Sequence, residues 1–353
     1  MNNTRDLFFA LLRNSLWLSE EALPGMLPDN MMKQLFILAE EQTVSGMVVD
    51  ALIRNDVRMP QQWVFEMLGL EAQNRQANQN LNDELKQFVN LQLKNYVIVK
   101  GQTIAAIYRN PLLRMSGDID FFVHDYEGAK DILKKEWNVE LPAKLVDREY
   151  AFEHGCATYE IHDNLIVFGS RKHQKSWEQL MKRPCGFVDV DGMKVPTLEP
   201  TINAIYVFIH LFFHFLREGV SLRQLCDWAM VLHHYRDDID RGALTDVLKK
   251  LDLQKAYCAI GAILVDYLGL PVDDFPFELG EKDREWKEKV LNDIFKGGNF
   301  GMLNHQAVSS WKYKMETMHI AIRNTFRYYH LCPSEVGYMI PKLVKQNIKI
   351  VVS

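Results

Sequence analysis

The chain has 353 residues, of which 48% are hydrophobic and 25% charged, a composition that excludes a disordered or collagen-like protein. Its 41 lysine and arginine residues against 46 aspartate and glutamate residues give a net charge of −5. Proteins that bind long nucleic acids through phosphate contacts usually have a basic excess, so the whole-chain balance gives no strong nucleic-acid signal. The length predicts two domains, or one domain with a large extension.

The five cysteines are scattered and form no Cys-x-x-Cys pair, so neither a disulfide framework nor a cysteine zinc site is predicted. The N-terminus has only a short apolar run, residues 7–12, and lacks the pattern of a signal peptide. The most apolar later stretch, residues 204–216, contains two histidines and is too short to span a bilayer. We therefore predict a cytoplasmic protein with reduced thiols and no membrane span.

Helical periodicity dominates the N-terminal segment, residues 1–95. Apolar residues repeat on one helix face in residues 7–12 and 32–38, and a long polar helix is predicted over residues 60–94. Its middle, residues 72–81, is too polar to be buried all round. We expect that part of the helix to lie across a surface or against another domain.

The next segment, residues 96–197, has a mixed α/β pattern, in which short β-branched or alternating runs predict strands. The Asp-Gly pair at residues 191–192 predicts a tight hairpin turn. The predicted elements are, in chain order, a strand at 96–99, a helix at 103–108, a strand at 119–123, a helix at 127–136, a strand pair at 157–162 and 165–168, and a hairpin around 188–195.

Helical periodicity returns in the C-terminal segment, residues 198–353. The predicted fold class is therefore α+β and mostly helical, with a small α/β core between an N-terminal helical segment and a C-terminal helical domain. The predicted C-terminal helices lie near residues 199–217, 221–236, 242–267, 281–296 and 311–330, with a last one around 340–350.

Two carboxylates near the start of the α/β segment are the most informative feature for function. Asp118 and Asp120 stand in Gly-Asp-Ile-Asp-Phe-Phe-Val, and Lys100-Gly101 ends the preceding strand. Residues i and i+2 of a strand project to the same face, so the two acids point together. Their repulsion is tolerable with a cation between them, and oxygen ligands on a strand edge suit Mg²⁺. An isolated Asp-x-Asp is more often a solvated strand face, but this longer pattern is far more specific.

The pattern resembles the signature of the DNA polymerase β-like nucleotidyltransferases and, more narrowly, a poorly characterised bacterial family within that superfamily. The likeness extends over roughly residues 95–235. The residues that carry it are Lys100, Gly101, Arg114, Gly117, Asp118 and Asp120, then Glu160 and His162, then His210 and His214, and finally Arg223 and Asp227.

The resemblance implies a polymerase-β-like core and a Mg²⁺-dependent transfer of a nucleoside monophosphate from an NTP to an acceptor hydroxyl, with release of pyrophosphate. It implies two metal ions, for which Mn²⁺ can substitute, held by Asp118, Asp120 and Glu160. Glu160 would be the third carboxylate, next to the attacking hydroxyl. Its rivals for that role in the same stretch of sequence are Asp147, Glu149 and Glu153.

The resemblance also implies residues that bind the nucleotide. Lys100 and Arg114 would supply positive charge to phosphate oxygens, and Gly101 and Gly117 would let the backbone approach them. A second group is predicted to support the carboxylates or to face the acceptor. Its members are His162, His210, His214, Arg223 and Asp227.

Simpler explanations exist for that second group. His162 either orients Glu160 or is a surface histidine, and both readings stay open. His210 and His214, four residues apart, could bind a metal, but no His-Glu-x-x-His pattern accompanies them, which favours histidines that contact polar partners at a helix junction. Arg223 and Asp227 have the spacing of an exposed ion pair on a helix.

Two other functions remain open at this stage. One is a catalytically silent module that binds a nucleotide or a partner on the same fold. The other is a toxin-like enzyme that modifies tRNA or protein. We expect a small-molecule acceptor more than RNA or protein. The basic, aromatic C-terminal residues 311–353 are more typical of ordinary helix faces than of an anionic partner's site. The sequence predicts neither the acceptor, the preferred NTP nor the oligomeric state.

Overall fold

The computed structural model describes residues 4–146, 148–299 and 310–338, with side chains from residue 315 onward in the last range. The predicted fold class is confirmed: the chain is mostly helical and contains a small mixed sheet. The predicted division at residues 95 and 197 stays a prediction. The described residues form two compact units, the first within the ranges 1–39, 44–167 and 183–200 and the second within 40–43, 168–182 and 201–353.

The N-terminal helices of the first unit form where the periodicity predicts them. α1 buries Leu7, Leu11 and Leu12 on one face. α4 begins directly after Pro60, whose fixed φ and missing N–H suit a helix start. The four helices are α1 (Thr4–Trp17), α2 (Asp29–Glu41), α3 (Ser45–Arg54) and α4 (Gln61–Asn90).

The α/β part of the first unit is a four-stranded mixed sheet in the order β1-β2-β4-β3. β1 and β2 are antiparallel, β2 and β4 are parallel, and β4 and β3 are antiparallel. β2 is buried at every position, which explains its apolar run. The strands are β1 (Tyr96–Val99), β2 (Ile119–Val123), β3 (Glu149–His154) and β4 (Ala157–His162), with helices α5 (Gly101–Ala105) and α6 (Tyr126–Trp137) between them.

The partner predicted for β4 is wrong. Residues 165–168 are not a strand, and β4 instead pairs with β3, through a turn at Gly155, whose φ is +57°. The sequence does not predict β3, because β3 is an edge strand with Glu149, Tyr150, Ala151 and Glu153 exposed. A charged, solvent-facing edge strand lacks the apolar signal that identifies a central one.

The predicted Asp-Gly hairpin is confirmed. β5 (Gly186–Val190) pairs antiparallel with β6 (Met193–Thr197). The turn residues Asp191 and Gly192 have φ values of 54° and 77°, as a type I′ turn requires. The Thr197 hydroxyl donates a hydrogen bond of 2.8 Å to the carbonyl of Ile98, which fixes β1 beside this hairpin.

The second unit is helical, as predicted, around a core of large aromatic side chains such as Phe208, Trp228 and Tyr257. One predicted helix, 242–267, is divided at Asp252, whose φ is +56°. The predicted helix at 340–350 lies outside the described residues. No described helix is long and apolar enough to cross a membrane. The helices are α7 (Arg171–Leu180), α8 (Pro200–Arg217), α9 (Leu222–His234), α10 (Arg241–Lys250), α11 (Gln254–Asp266), α12 (Glu281–Arg284), α13 (Lys287–Gly297) and α14 (Ser310–Arg327).

Candidate active site

The site begins at the end of β1, where the chain turns into α5. Lys100 occupies this turn with φ 56° and ψ −142°, and Gly101 follows with φ 41°. A side chain other than glycine is strained in such a conformation by roughly 1–3 kcal/mol. The carbonyl of Lys100 accepts the first N–H groups of α5, from Thr103 and Ile104. These hydrogen bonds hold the turn in place, and the turn has a lysine at a position where glycine would carry no backbone strain.

Asp120 lies on the central strand β2 and is almost completely buried, at 1% exposure. Its Oδ1 lies 2.9 Å from Lys100 Nζ and 3.2 Å from His162 Nε2. Burial alone would raise the pKa of Asp120. The ammonium of Lys100, together with the hydrogen bond and charge of His162, outweighs burial and holds this pKa well below its usual range. Asp120 is therefore ionised, and its charge is balanced from two sides.

Glu160 stands directly beside Asp120, because β2 and β4 pair in parallel with these two residues in register. Its side chain is 32% exposed, whereas that of Asp120 is 2% exposed. Burial first, and then the charges of Asp120 and Asp118, raise the pKa of Glu160 to about 7, although Lys100 and His162 act in the opposite direction. The positive charges in the site therefore do not fully balance its carboxylates.

His162 completes the group from β4, two residues beyond Glu160 and on the same face of the sheet. It is buried, with Nε2 also 3.8 Å from Glu160 Oε2 and Nδ1 3.7 Å from Glu149 Oε2. The histidine is thus no surface residue. Its hydrogen bond goes to Asp120 rather than to Glu160.

Ligand atoms of Asp120, Glu160 and His162 lie within 4.8 Å of one another, and within the described residues they form the one such group able to hold a metal ion. The carboxylate oxygens suit Mg²⁺ or Mn²⁺, and His162, whose Nε2 contacts Asp120 Oδ1, would orient that carboxylate. Asp120 and Asp118 both act to raise the pKa of Glu160, and a divalent cation among these carboxylates would offset their mutual repulsion. The residues therefore fit a cation of this kind.

Asp118 immediately precedes β2 and is partly exposed. Its backbone carbonyl lies against the Lys100–Gly101 turn: a Cβ on Gly101 would come within 3.1 Å of it. The carboxylate is near enough to help raise the pKa of Glu160. Asp118 thus adds its charge to the same site, and its role as a metal ligand stays a prediction. Among the rivals of Glu160, Asp147 lies outside the described residues.

Of the predicted phosphate-binding residues, Lys100 and Gly101 lie at the site, while Arg114 and Gly117 belong to the loop before Asp118. Arg114 is buried, at 2% exposure, and its Nη1 donates a hydrogen bond of 2.8 Å to Ser116 Oγ. A Cβ on Gly117 would meet nothing within 4 Å. Arg114 therefore braces the loop, and phosphate binding by either residue stays a prediction.

The four remaining candidates belong to the second unit. The rings of His210 and His214 on α8 lie 4.4 Å apart, and His214 Nδ1 is 3.4 Å from Glu218 Oε2. On α9, Arg223 Nε donates to Thr43 Oγ1 at 3.3 Å, and Asp227 is buried at 5% exposure. Asp227 is therefore not half of an exposed ion pair. The part of all four residues in the reaction stays a prediction.

Comparisons with known proteins relate the chain to nucleotidyltransferases. A family model described as "Uncharacterised nucleotidyltransferase" matches residues 28–269, which is more than half of the chain. No curated protein sequence matches the chain. Among solved structures, an antigenic nucleotidyltransferase-like protein from Paracoccidioides brasiliensis matches at 14% identity over 57% of this chain and 93% of its own, with a TM-score of 0.28. That score is too low to bear on the fold.

Proposed function

Because the chain belongs to the uncharacterised nucleotidyltransferase family, we propose that it transfers a nucleoside monophosphate from an NTP to an acceptor hydroxyl and releases pyrophosphate. The observation that carries the proposal is the pairing of Asp120 with Glu160 across adjacent strands, with His162 and Lys100 in contact with Asp120. This group combines ligands for a cation with a positively charged side chain for a polyphosphate.

Asp118, Asp120 and Glu160 would hold the metal, Mg²⁺ or Mn²⁺, and two ions are expected. When bound, the ions would neutralise phosphate oxygens and stabilise the attacking and leaving oxygens of the displacement. His162 keeps Asp120 oriented through its Nε2 contact. Such contacts to ligating carboxylates fix their direction and tune their affinity.

Lys100 would bind the triphosphate. In the free protein the Lys100 ammonium contacts the Asp120 carboxylate. A divalent ion would need that same carboxylate as a ligand, so the lysine and the ion compete for it. An arriving polyphosphate offers the lysine new oxygen partners, so Lys100 can leave Asp120 when metal and nucleotide arrive together. We therefore expect metal and NTP to strengthen each other's binding.

Glu160 is the carboxylate that would face the acceptor, because solvent reaches it and not Asp120. In the reaction the acceptor oxygen bonds to the α-phosphorus while the bond from that phosphorus to the oxygen bridging to the β-phosphate breaks. Pyrophosphate leaves with that bridging oxygen. The acceptor's hydroxyl proton passes to the Glu160 carboxylate and from there to solvent.

The Lys100–Asp120 pair also favours a second candidate, a catalytically silent module on the same fold. A lysine that neutralises the buried aspartate would keep such a site stable without any metal. This module would bind a nucleotide and release no pyrophosphate. The toxin-like alternative shares the chemistry of the main proposal and differs in its acceptor, which would be a tRNA or a protein.

The test is to incubate the protein with each of the four NTPs and Mg²⁺, with and without a cell extract that supplies acceptors, and to measure pyrophosphate. Release that requires Asp118 supports the enzyme, with Asp118→Asn as the inactive variant. Asp131→Asn, on the exposed face of α6, is the matched control and should behave as the unmodified protein. Nucleotide binding without release would favour the silent module.

A further inference from the structure

The polar middle of α4 has a buried side that lies against the active-site loops. Asn74, Asn78 and Asn82 are spaced by four residues and therefore lie on one face of the helix. Asn78 is 1% exposed and Asn82 8% exposed. We call these three residues the amide stripe. Buried asparagines in a helix are unusual unless their amides are used, so the partners of Asn78 and Asn82 indicate what the stripe does.

Asn78 holds the loop that leads to Asp118. Its Nδ2 lies 3.1 Å from the carbonyl of Leu112 and 2.9 Å from that of Arg114, and it also donates to the carbonyl of Asn74, on its own helix, at 2.9 Å. Its Oδ1 has no hydrogen-bond partner among the described residues. The alternative orientation of the amide would place that oxygen against three carbonyl oxygens. The Nδ2 group of Asn78 is therefore the part of the side chain that contacts the loop.

Both carbonyls lie outside the strand pairing of the sheet. Leu112 is in a single 3-10 turn, Pro111–Leu113, and Arg114 directly follows it. A buried carbonyl that loses its donor is costly. α3 also packs tightly against the loop: a Cβ on Gly46 would lie 2.0 Å from the carbonyl oxygen of Leu113. The path of the chain into Asp118 is therefore set by α3 and α4.

The same stripe reaches the turn on the other side of the site. Gln102, buried at 3% exposure, donates through Nε2 to Asn82 Oδ1 at 2.6 Å and to the carbonyl of Asn78 at 3.4 Å. Gln102 follows Gly101 directly, in the first turn of α5. One helix face thus contacts both the segment after Lys100 and the segment before Asp118.

We propose that Asn78 is a positioning residue for the metal-binding carboxylates: its amide fixes the loop that ends at Asp118 relative to the turn that carries Lys100. This inference rests on the proposed function, since it assigns Asn78 a role in assembling that site. Asn78 is far from the sequence pattern of the site and contacts no reacting group. It acts through the backbone of residues 112–114.

Loss of the Asn78 amide leaves the carbonyls of Leu112 and Arg114 without their donor. The loop would then shift, and Asp118 would no longer meet the cation together with Asp120 and Glu160. Residues that orient metal ligands typically change metal affinity by about 10–100-fold when they are removed. A purely structural asparagine would lower the unfolding temperature and leave metal affinity in the folded protein unchanged.

The experiment measures the binding of Mn²⁺ alone to the full chain by electron paramagnetic resonance, at a temperature well below unfolding. Asn78→Ala is compared with Gln73→Ala, which removes an exposed amide of the same helix that lies off the stripe. We expect Asn78→Ala to weaken Mn²⁺ binding at least about tenfold and Gln73→Ala to leave it unchanged. Asn78→Ser keeps one donor and should fall between Asn78→Ala and the unmodified protein.

The outcomes distinguish failure of the positioning role of Asn78 from failure of the proposed metal-dependent function. If folded Asn78→Ala binds Mn²⁺ as tightly as the unmodified protein, the positioning role is wrong and the proposed function stands. If Mn²⁺ binds only when an NTP is present, the variants are compared in that mixture. If the unmodified protein binds no Mn²⁺ at millimolar concentration either alone or with an NTP, the metal-dependent function itself fails, and the role of Asn78 with it. If Asn78→Ala does not fold, the graded loss in Asn78→Ser decides the question, and normal binding in that variant overturns the role.

Discussion

Lys100 Nζ lies 2.9 Å from Asp120 Oδ1, and Lys100 reaches this position from a backbone conformation that L-residues rarely adopt. Glycine would relieve the strain at this turn, but it would leave the buried Asp120 carboxylate without its ammonium partner. The strained backbone at Lys100 therefore accompanies a side chain whose positive charge balances Asp120. The same lysine competes with any cation for Asp120, which gives the site a property that can be measured.

Replacing Lys100 by methionine should make metal binding tighter in the absence of nucleotide. The variant removes the positive charge that a metal ion must displace from Asp120, while keeping an unbranched side chain. Without metal the variant should unfold at a lower temperature, because Asp120 stays buried and loses its partner. Isothermal titration with Mn²⁺ measures the first effect and thermal unfolding in EDTA the second.

Lys94→Met removes an exposed lysine near the start of β1 and serves as the matched control for Lys100→Met. It should change neither metal affinity nor stability. Weaker Mn²⁺ binding by Lys100→Met would show that the lysine supports the metal site rather than competing for it.

Replacing Glu160 by glutamine should stabilise the metal-free protein at pH 8. The pKa of Glu160 is raised from an ordinary value of 4.5 to about 7, so the folded protein holds this proton more tightly than the unfolded chain does. The carboxylate therefore lowers stability progressively as the pH rises from 4.5 to 7, and fully above 7. We expect Glu160→Gln to have the higher unfolding temperature at pH 8 in EDTA, with the difference disappearing near pH 4.5.

Glu66→Gln, on an exposed face of α4, is the control for that pH series and should follow the unmodified protein. A Glu160→Gln variant that unfolds at the lower temperature at pH 8 would contradict the charge imbalance described for the site.

Replacing Asp118 or Asp120 by asparagine should lower the stability of the protein by different amounts. Asp120→Asn removes one partner of a buried ion pair and should lower the free energy of unfolding by about 2–3 kcal/mol at pH 7, somewhat less than for a fully buried pair because Lys100 is 18% exposed. Asp118 is partly exposed and precedes the strand, so Asp118→Asn should change stability by less than about 1 kcal/mol. Urea unfolding measures both, and equal losses would contradict this account.

The glycines of the site should also respond differently. In Gly101→Ala the new Cβ would meet the carbonyl of Asp118 at 3.1 Å on a backbone with φ +41°, so we expect lower stability and weaker Mn²⁺ binding. Gly117→Ala places a Cβ in open space and should leave both unchanged. Thermal unfolding and Mn²⁺ titration compare the two, and a damaging Gly117→Ala would point to a ligand-binding role for that glycine.

Much of the site's frame was predictable from local pattern. The apolar run after Asp118 predicts a strand at 119–123, and the β-branched run before Lys100-Gly101 predicts one at 96–99; both are confirmed. The central place of β2 in the sheet comes from the structure. The i and i+2 spacing correctly places His162 on the face of Glu160, but only the register between β2 and β4 reveals that its hydrogen bond goes to Asp120. Register across strands is a long-range property that periodicity within one segment does not contain.

The amide stripe shows what the sequence pattern could not supply. The polarity of residues 72–81 correctly predicts a helix that is not buried all round, since residues 72, 73, 76 and 77 are exposed. The spacing of Asn74, Asn78 and Asn82 is visible in the sequence, but the acceptors of Asn78 are backbone carbonyls that any residue provides. The edge strand β3 is not predictable for a related reason, since its solvent-facing acids carry no signal of burial.

The central claim is nucleotidyl transfer, and the most direct measurement follows the two ends of the nucleotide separately. The protein is incubated with Mg²⁺, cell extract and an NTP labelled at either the α- or the γ-phosphate. The account predicts that α-label becomes attached to an acceptor, that γ-label appears in pyrophosphate, and that Asp118→Asn abolishes both. Attachment of the γ-label to an acceptor, release of γ-label as inorganic phosphate, or transfer that persists in Asp118→Asn would contradict it.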